Sequence, residues 1–190
     1  MIQRQPPTRQ VGVPDSRIEW RNMDRLWAPW RLSYVTTPKT TTAPDECFIC
    51  RGLGENDDRA NLIALRTPRS VVILNRFPYN NGHLLVAPHD HKASLEDLDD
   101  GELLDSMKTI QRVLRELDGL MQPHGYNVGL NLGKAAGAGL PGHLHWHVVP
   151  RWTGDTNFMP VVADVRIIVQ ALETLYDLLT PRLNPGDGGS

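Results

Sequence analysis

The sequence predicts an α+β protein: an antiparallel β-sheet of about five strands with a long central helix and a C-terminal helix. Two observations set this expectation. Short apolar runs bounded by Pro and Asn-Gly turn signals recur on both sides of residue 100, as strands do. Beside them lie two longer stretches whose apolar residues return at three- to five-residue steps, the pattern of a helix with one buried face.

In chain order, residues 1–24 are rich in Pro, Gln, Arg and Asp without apolar periodicity and read as a disordered tail. Residues 25–182 are expected to form one domain, and 183–190 a frayed end. The stretch that includes Trp27 and Trp30 is too aromatic for a solvated leader and is expected to pack on the domain or on a second subunit. A Thr/Pro-rich loop, 36–45, leads to Cys47 and Cys50. Strands are predicted at 62–65 and 70–75, as a hairpin around Pro68-Arg69, and at 83–88, after the Asn81-Gly82 turn and halted by Pro88. Ser94, with Asp97 three residues on, predicts the start of a helix over 94–121, its inner face made of Leu95, Leu98, Leu103, Met107, Ile110, Val113 or Leu114, and Leu117. Two more strands are predicted at 126–131 and 143–149. Val161, Val165, Ile168 or Val169, Leu172, Leu175 and Leu179 predict a last helix ending before Pro181.

Composition narrows the function. The net charge is −2, so there is no global basic field for nucleic acid. No apolar run approaches the roughly 20 residues that span a membrane, and the first residues lack a signal-peptide pattern. A cytoplasmic protein with no membrane or nucleic-acid partner is the expectation. The two cysteines, in Cys47-Phe48-Ile49-Cys50, have the spacing of half a zinc site or of a redox pair. His83 and His124 read as isolated turn or surface residues.

Chemistry concentrates in His143-Leu144-His145-Trp146-His147. On a strand this spacing places three imidazoles on one face, roughly 6.6 Å apart at about 3.3 Å per residue. Imidazole can attack phosphorus, move a proton or ligate a metal. The small-residue loop 133–142 directly precedes the row; its glycines allow close backbone approach and its N–H groups can cup an anion. No Gly-Lys-Ser/Thr follows them, so the loop is not a P-loop.

His143-Leu144-His145-Trp146-His147-Val148-Val149 resembles the signature of the histidine-triad (HIT) superfamily, and the resemblance runs from about Leu26 to Phe158. Residues 74–86 resemble the family's strand–turn–strand element that bears the ribose contact, and Asn131-Leu132-Gly133, the run Ala136-Gly137-Ala138-Gly139 and Pro150-Arg151-Trp152 followed by Asp155 to Phe158 resemble its bacterial diadenosine tetraphosphate phosphorylase branch. The resemblance implies a HIT-like fold with His145 as nucleophile toward an α-phosphate, His147 on the phosphate and its proton, and His143 orienting the row or binding metal. It implies nucleotide contacts from Asn75 (ribose), Asn131, Gly137, Ala138, Gly139 and His147. In metal-containing relatives a Zn²⁺ site is completed by a histidine after the third strand and by the first triad histidine, here His91 and His143 joining Cys47 and Cys50; a structural zinc and no organic cofactor are expected.

Two departures stand out. Ala138-Gly139 replaces the polar pair common in relatives, which implies a changed leaving-group preference. The third histidine is retained as His147, where galactose-1-phosphate uridylyltransferase has glutamine. The expected activity is phosphorolysis of diadenosine tetraphosphate to ATP and ADP through a nucleotidyl-histidine, with inorganic phosphate as co-substrate. The alternatives are a purine-nucleoside phosphoramidase, a dinucleoside polyphosphate hydrolase, or a nucleotide-binding interaction module. A homodimer or higher assembly is expected, with the Trp27–Trp30 stretch and the last helix as candidate interfaces.

Overall fold

The structure is a computed structural model that describes residues 47–155 and 171–185. Trp27 and Trp30, and the first predicted turns of the last helix at Val161, Val165, Ile168 and Val169, lie outside the described residues. The elements are α1 (Phe48–Gly54), β1 (Ile63–Arg66), β2 (Ser70–Leu74), β3 (Leu84–Pro88), α2 (Asp100–Met121), β4 (Gly125–Leu130), β5 (Trp146–Arg151) and α3 (Leu172–Leu183). The five strands form one antiparallel sheet in the order β1-β2-β3-β5-β4, so β5 inserts between β3 and the edge strand β4. Strands β2 and β3 are buried along their whole length. Helix α2 packs on β2 and β3, and α3 packs on β1 and α2. The α+β fold read from the sequence is the fold observed.

Both predicted turns are present. Thr67 N–H donates to Ser70 O (2.8 Å) across Pro68-Arg69, and Asn75 N–H donates to His83 O (3.0 Å) above the Asn-Gly turn. Gly82 has φ +76°, the left-handed region that favours glycine.

Four expectations need correction. The long helix does not start at Ser94: a 3₁₀ turn, Leu95–Asp97, comes first, and α2 begins after Asp99. Asp99 accepts from Glu102 N–H (2.8 Å) and Glu102 returns a bond from Asp99 N–H (2.8 Å), a reciprocal cap that fixes the true start. The inner face is also rotated. Ile110, Val113 and Leu117 are buried as predicted, but Leu95 and Met107 are exposed, and Glu102, Ser106 and Thr109 turn inward. These polar groups are tolerated because two of them are partnered: Ser106 Oγ lies 3.2 Å from Ser70 Oγ, and Lys92 Nζ is 2.7 Å from both Glu102 oxygens.

The last strand begins at Trp146, not His143. Leu144 N–H donates to Lys92 O (2.7 Å) in the loop after β3, which takes the chain out of the strand ladder just where the histidines begin. Finally, α3 continues through Pro181 to Leu183. Pro181 removes one donor, the N–H that would reach Asp177 O. That loss falls in the last turn, where Asn184 N–H still donates to Thr180 O (3.0 Å) and the stripe Leu175, Leu179 and Leu183 is buried. Arg112 also donates to the Leu183 carbonyl.

A methyl at Gly82 would lie 2.9 Å from both Met121 Sδ and the Pro150 ring while the backbone stays at positive φ. Met121 can yield and the proline ring cannot. Gly82→Ala is therefore expected to destabilise the fold by about 2–4 kcal/mol, seen as a lowered midpoint in urea; an unchanged midpoint would contradict this packing.

Candidate active site and metal centre

The segment 143–147 divides its histidines between two sites. His143 is fully buried and turns toward the cysteines: its Nδ1 lies 3.3 Å from Cys47 Sγ and 3.4 Å from Cys50 Sγ. Its Nε2–H donates to Pro88 O (2.9 Å), which leaves Nδ1 as the nitrogen with the lone pair. Cys50 Sγ is also 3.2 Å from His91 Nδ1. The two sulfurs and two nitrogens all lie within 4.8 Å of one another. A tetrahedral ion with metal–sulfur distances of about 2.3 Å and metal–nitrogen distances of about 2.0–2.1 Å has sulfur–nitrogen edges of roughly 3.6 Å. The observed edges are close to that, and the donor chemistry fits: these four residues could hold a metal ion.

Helix α1, which the sequence reading did not foresee, is what places the cysteines. Cys47 caps it, its Sγ accepting from Cys50 N–H at 3.5 Å, so one helical turn brings both sulfurs to the same end. Burial, then the hydrogen bond and charge of Cys47, push the Cys50 thiol up to about 11. Burial pushes His143 down to about 4, against the opposing pull of its bond to Pro88 O. His91 is part of the cluster, as the resemblance implied; His89 is not, its Nε2–H donating to Ser70 O at 2.9 Å.

His145 and His147 form the second site, their ring centroids 5.0 Å apart in an edge-to-face arrangement. His145 is buried, and its Nδ1–H donates to the main-chain carbonyl of His143 (2.8 Å). A carbonyl can only accept, so Nδ1 carries the proton and Nε2 keeps its lone pair. Burial holds His145 below the usual imidazole range and His147 at about 4, the latter helped by the charge of His145. Both rings are neutral near pH 7.

His83 corrects the sequence reading. It is 1% exposed rather than a surface residue, and its Nε2 lies 2.9 Å from His147 Nδ1. Tyr79 N–H donates to His83 Nδ1 (3.0 Å), and Asn75 Nδ2 is 3.2 Å from the same atom while Asn75 Oδ1 accepts from Phe77 N–H (3.0 Å). The Tyr79 N–H can only donate, so Nδ1 is the acceptor and the neutral His83 carries its proton on Nε2 and donates to His147 Nδ1. His147 then carries its own proton on Nε2. The sequence signal was His83's place at the head of the strand beside β5, and that register is not readable without strand order. His124 is exposed, as expected, and bonds with Thr153 (2.9 Å).

Asn131 Nδ2 lies 3.4 Å from His147 Nε2, and Asn75 stands behind His83. In the glycine loop Gly137 has φ +86°, Ala138 is buried and Gly139 exposed. The N–H groups of Gly137 and Ala138 donate to Lys134 O (3.0 Å) and Gly133 O (3.3 Å), so they close the loop on itself.

The chain has known relatives. The HIT domain model matches residues 57–154. A protein of Mycobacterium tuberculosis (strain H37Rv) named AP-4-A phosphorylase is 38% identical over 163 residues, 83% of each chain. Among solved structures, a Zn-bound histidine triad family protein from Mycobacterium smegmatis superposes with a TM-score of 0.58 at 25% identity, covering 78% of this chain and 100% of that one. A hypothetical histidine triad nucleotide-binding protein from Sulfolobus tokodaii shares the fold, with a TM-score of 0.59 at 22% identity over 76% of this chain and 99% of that one. The site is that of a histidine-triad protein. The chain belongs to the HIT domain family.

The neutral state of His147 has a consequence for stability. An unfolded imidazole takes its proton near 6.5 and the folded one near 4, so between these values the unfolded chain binds more protons and stability falls as pH is lowered. The wild type is expected to lose thermal stability from about pH 6.5 to about pH 4 more steeply than His147→Asn, measured by thermal melts across that range. Parallel curves would contradict the depressed value.

Proposed function

We propose that this chain is an enzyme that cleaves dinucleoside polyphosphates through a nucleotidyl-His145 intermediate, with diadenosine tetraphosphate and inorganic phosphate as its substrates. The observation that carries this reading is the bond from His145 Nδ1–H to the His143 carbonyl, which leaves Nε2 with a lone pair on a buried, neutral ring. Likeness to the mycobacterial AP-4-A phosphorylase over 83% of both chains supports the choice of substrate. His145 Nε2 attacks the α-phosphorus; a P–N bond forms, the P–O bond to the leaving ATP breaks, and splitting one displacement into two lowers each barrier. An oxygen of inorganic phosphate then attacks the same phosphorus, the P–N bond breaks and ADP forms. His147 Nε2–H faces the phosphate oxygens and the leaving group as donor. Asn75 contacts the ribose, and the Gly137-Ala138-Gly139 backbone holds phosphate oxygens, reopening the loop bonds of Gly137 and Ala138 to do so.

Cys47, Cys50, His91 and His143 hold Zn²⁺ in the same proposal. With four protein donors the ion would supply a structural cross-link between α1, the loop after β3 and the triad. The protein works in the cytoplasm as a homodimer: β4 is an edge strand whose residues 127–129 are exposed, Val128 among them, and a second copy can complete that edge.

Incubation with diadenosine tetraphosphate, with and without inorganic phosphate, tests the reaction by chromatography of ATP, ADP and AMP. ATP and ADP appearing only with phosphate is the expected result; ATP and AMP without phosphate would make the chain a hydrolase, and no turnover would overturn the reading. His145→Asn is expected to lower turnover by at least about a thousandfold with nucleotide affinity kept within a few-fold. For the metal, one zinc per chain by elemental analysis is expected, lost together with thermal stability in Cys47→Ser; a metal-free wild type of unchanged stability under chelator would contradict the site.

A further inference from the structure

Tyr79 has no role in the chemistry described so far, yet it meets that chemistry twice. Its backbone N–H donates to His83 Nδ1 (3.0 Å), the bond that fixes which nitrogen of His83 carries the proton. Its ring lies nearly parallel to His147, at 5.6 Å between centroids and 23°, and tilts on His83 at 4.6 Å and 39°. The side chain is 47% exposed and stands outside the apolar core cluster, so core packing does not account for an aromatic ring at this position. The turn that carries it is held firmly. Asn80 Nδ2 donates to Pro150 O (3.1 Å) and Asp155 Oδ2 (2.8 Å), and Gly82 sits tightly against Met121 and Pro150.

The physical need for such a ring lies in His147. The terminal torsion of histidine is broad and roughly two-fold, and a half-turn would exchange Nδ1 with a carbon, breaking the bond to His83. The edge of His145 and the bond from His83 confine that ring, and the flat face of Tyr79 stands against it. We propose that Tyr79 is a positioning residue for His147: its N–H sets the tautomer through His83, and its ring prevents the imidazole from turning, so that His147 Nε2–H is presented to the leaving group. This rests on the reading of His147 as the proton donor of the reaction.

The test compares leaving groups. Tyr79→Ala removes the ring and keeps the N–H, and Tyr79→Phe keeps both. The substrates are adenosine 5′-phosphoramidate, whose nitrogen must be protonated to leave, and the p-nitrophenyl ester of AMP, whose phenolate leaves without a proton. General acid catalysis is worth about 10²–10⁴-fold; with the acid loosened and not removed, Tyr79→Ala is expected to lower kcat on the phosphoramidate by about 10-fold or more, with KM within about 2-fold, and kcat on the ester by less than about 3-fold. Tyr79→Phe should match the wild type on both. Equal losses on both substrates, no loss on either, or an equal loss in Tyr79→Phe would each overturn the proposal. Nitrogen-15 spectra of the imidazoles test it apart from turnover: wild type and Tyr79→Phe should show His147 as a single neutral Nε2–H form, and Tyr79→Ala a mixture. A mixture already in the wild type would overturn the positioning role. If the wild type turns over neither compound, the proton-donor reading fails, while the spectra still decide whether Tyr79 holds the ring.

Discussion

The main chain at His143 is the constraint on which the site depends. Its ring is committed to the cysteine cluster and to Pro88 O, and its main-chain carbonyl accepts a hydrogen bond from His145 Nδ1–H. One residue thus anchors the cysteine–histidine cluster with its side chain and sets the tautomer of the neighbouring imidazole with its backbone. Leu144, between them, is tied to Lys92 O, and Lys92 is held in turn by the buried carboxylate of Glu102. The Lys92 ion pair is no ornament of the surface: only 6% of the Glu102 side chain is exposed, and losing either partner leaves a charge in a poor environment.

Neutral imidazoles are the electrostatic counterpart of this geometry. Burial lowers His143, His145 and His147 alike, so the protein obtains lone pairs and N–H donors side by side without charge. Which nitrogen does which is then decided by hydrogen bonds whose polarity cannot reverse: carbonyls at His143 and Pro88, and the amide of Tyr79. Backbone groups therefore assign roles that the side chains alone leave ambiguous.

The sequence made the triad and the fold class legible because spacing carries them. Alternation marks strands, and three histidines in five residues mark a site. It also brought Cys47, Cys50, His91 and His143 together, by resemblance to a family and not by spacing. What it hid is what strand order and local competition decide. His83 reaches His147 because β3 is the neighbour of β5, and its sequence surroundings are those of any turn. Two successive turns each carry a capping pair, Ser94 with Asp97 before a 3₁₀ turn and Asp99 with Glu102 before α2; only the second opens the long helix. Pro181 reads as a stop, but the buried Leu183 carries α3 past it.

The central claim is that a buried, neutral His145 uses Nε2 to take up a nucleotide. Mass spectrometry of the protein quenched in acid-free denaturant after brief mixing with diadenosine tetraphosphate, without inorganic phosphate, tests it most directly. An adduct of one AMP per chain is expected, localised to His145 in the peptide that contains residues 143–147 and discharged when phosphate is added. An adduct on another residue, or turnover of the substrate with no adduct trapped on His145 at any mixing time, would contradict it.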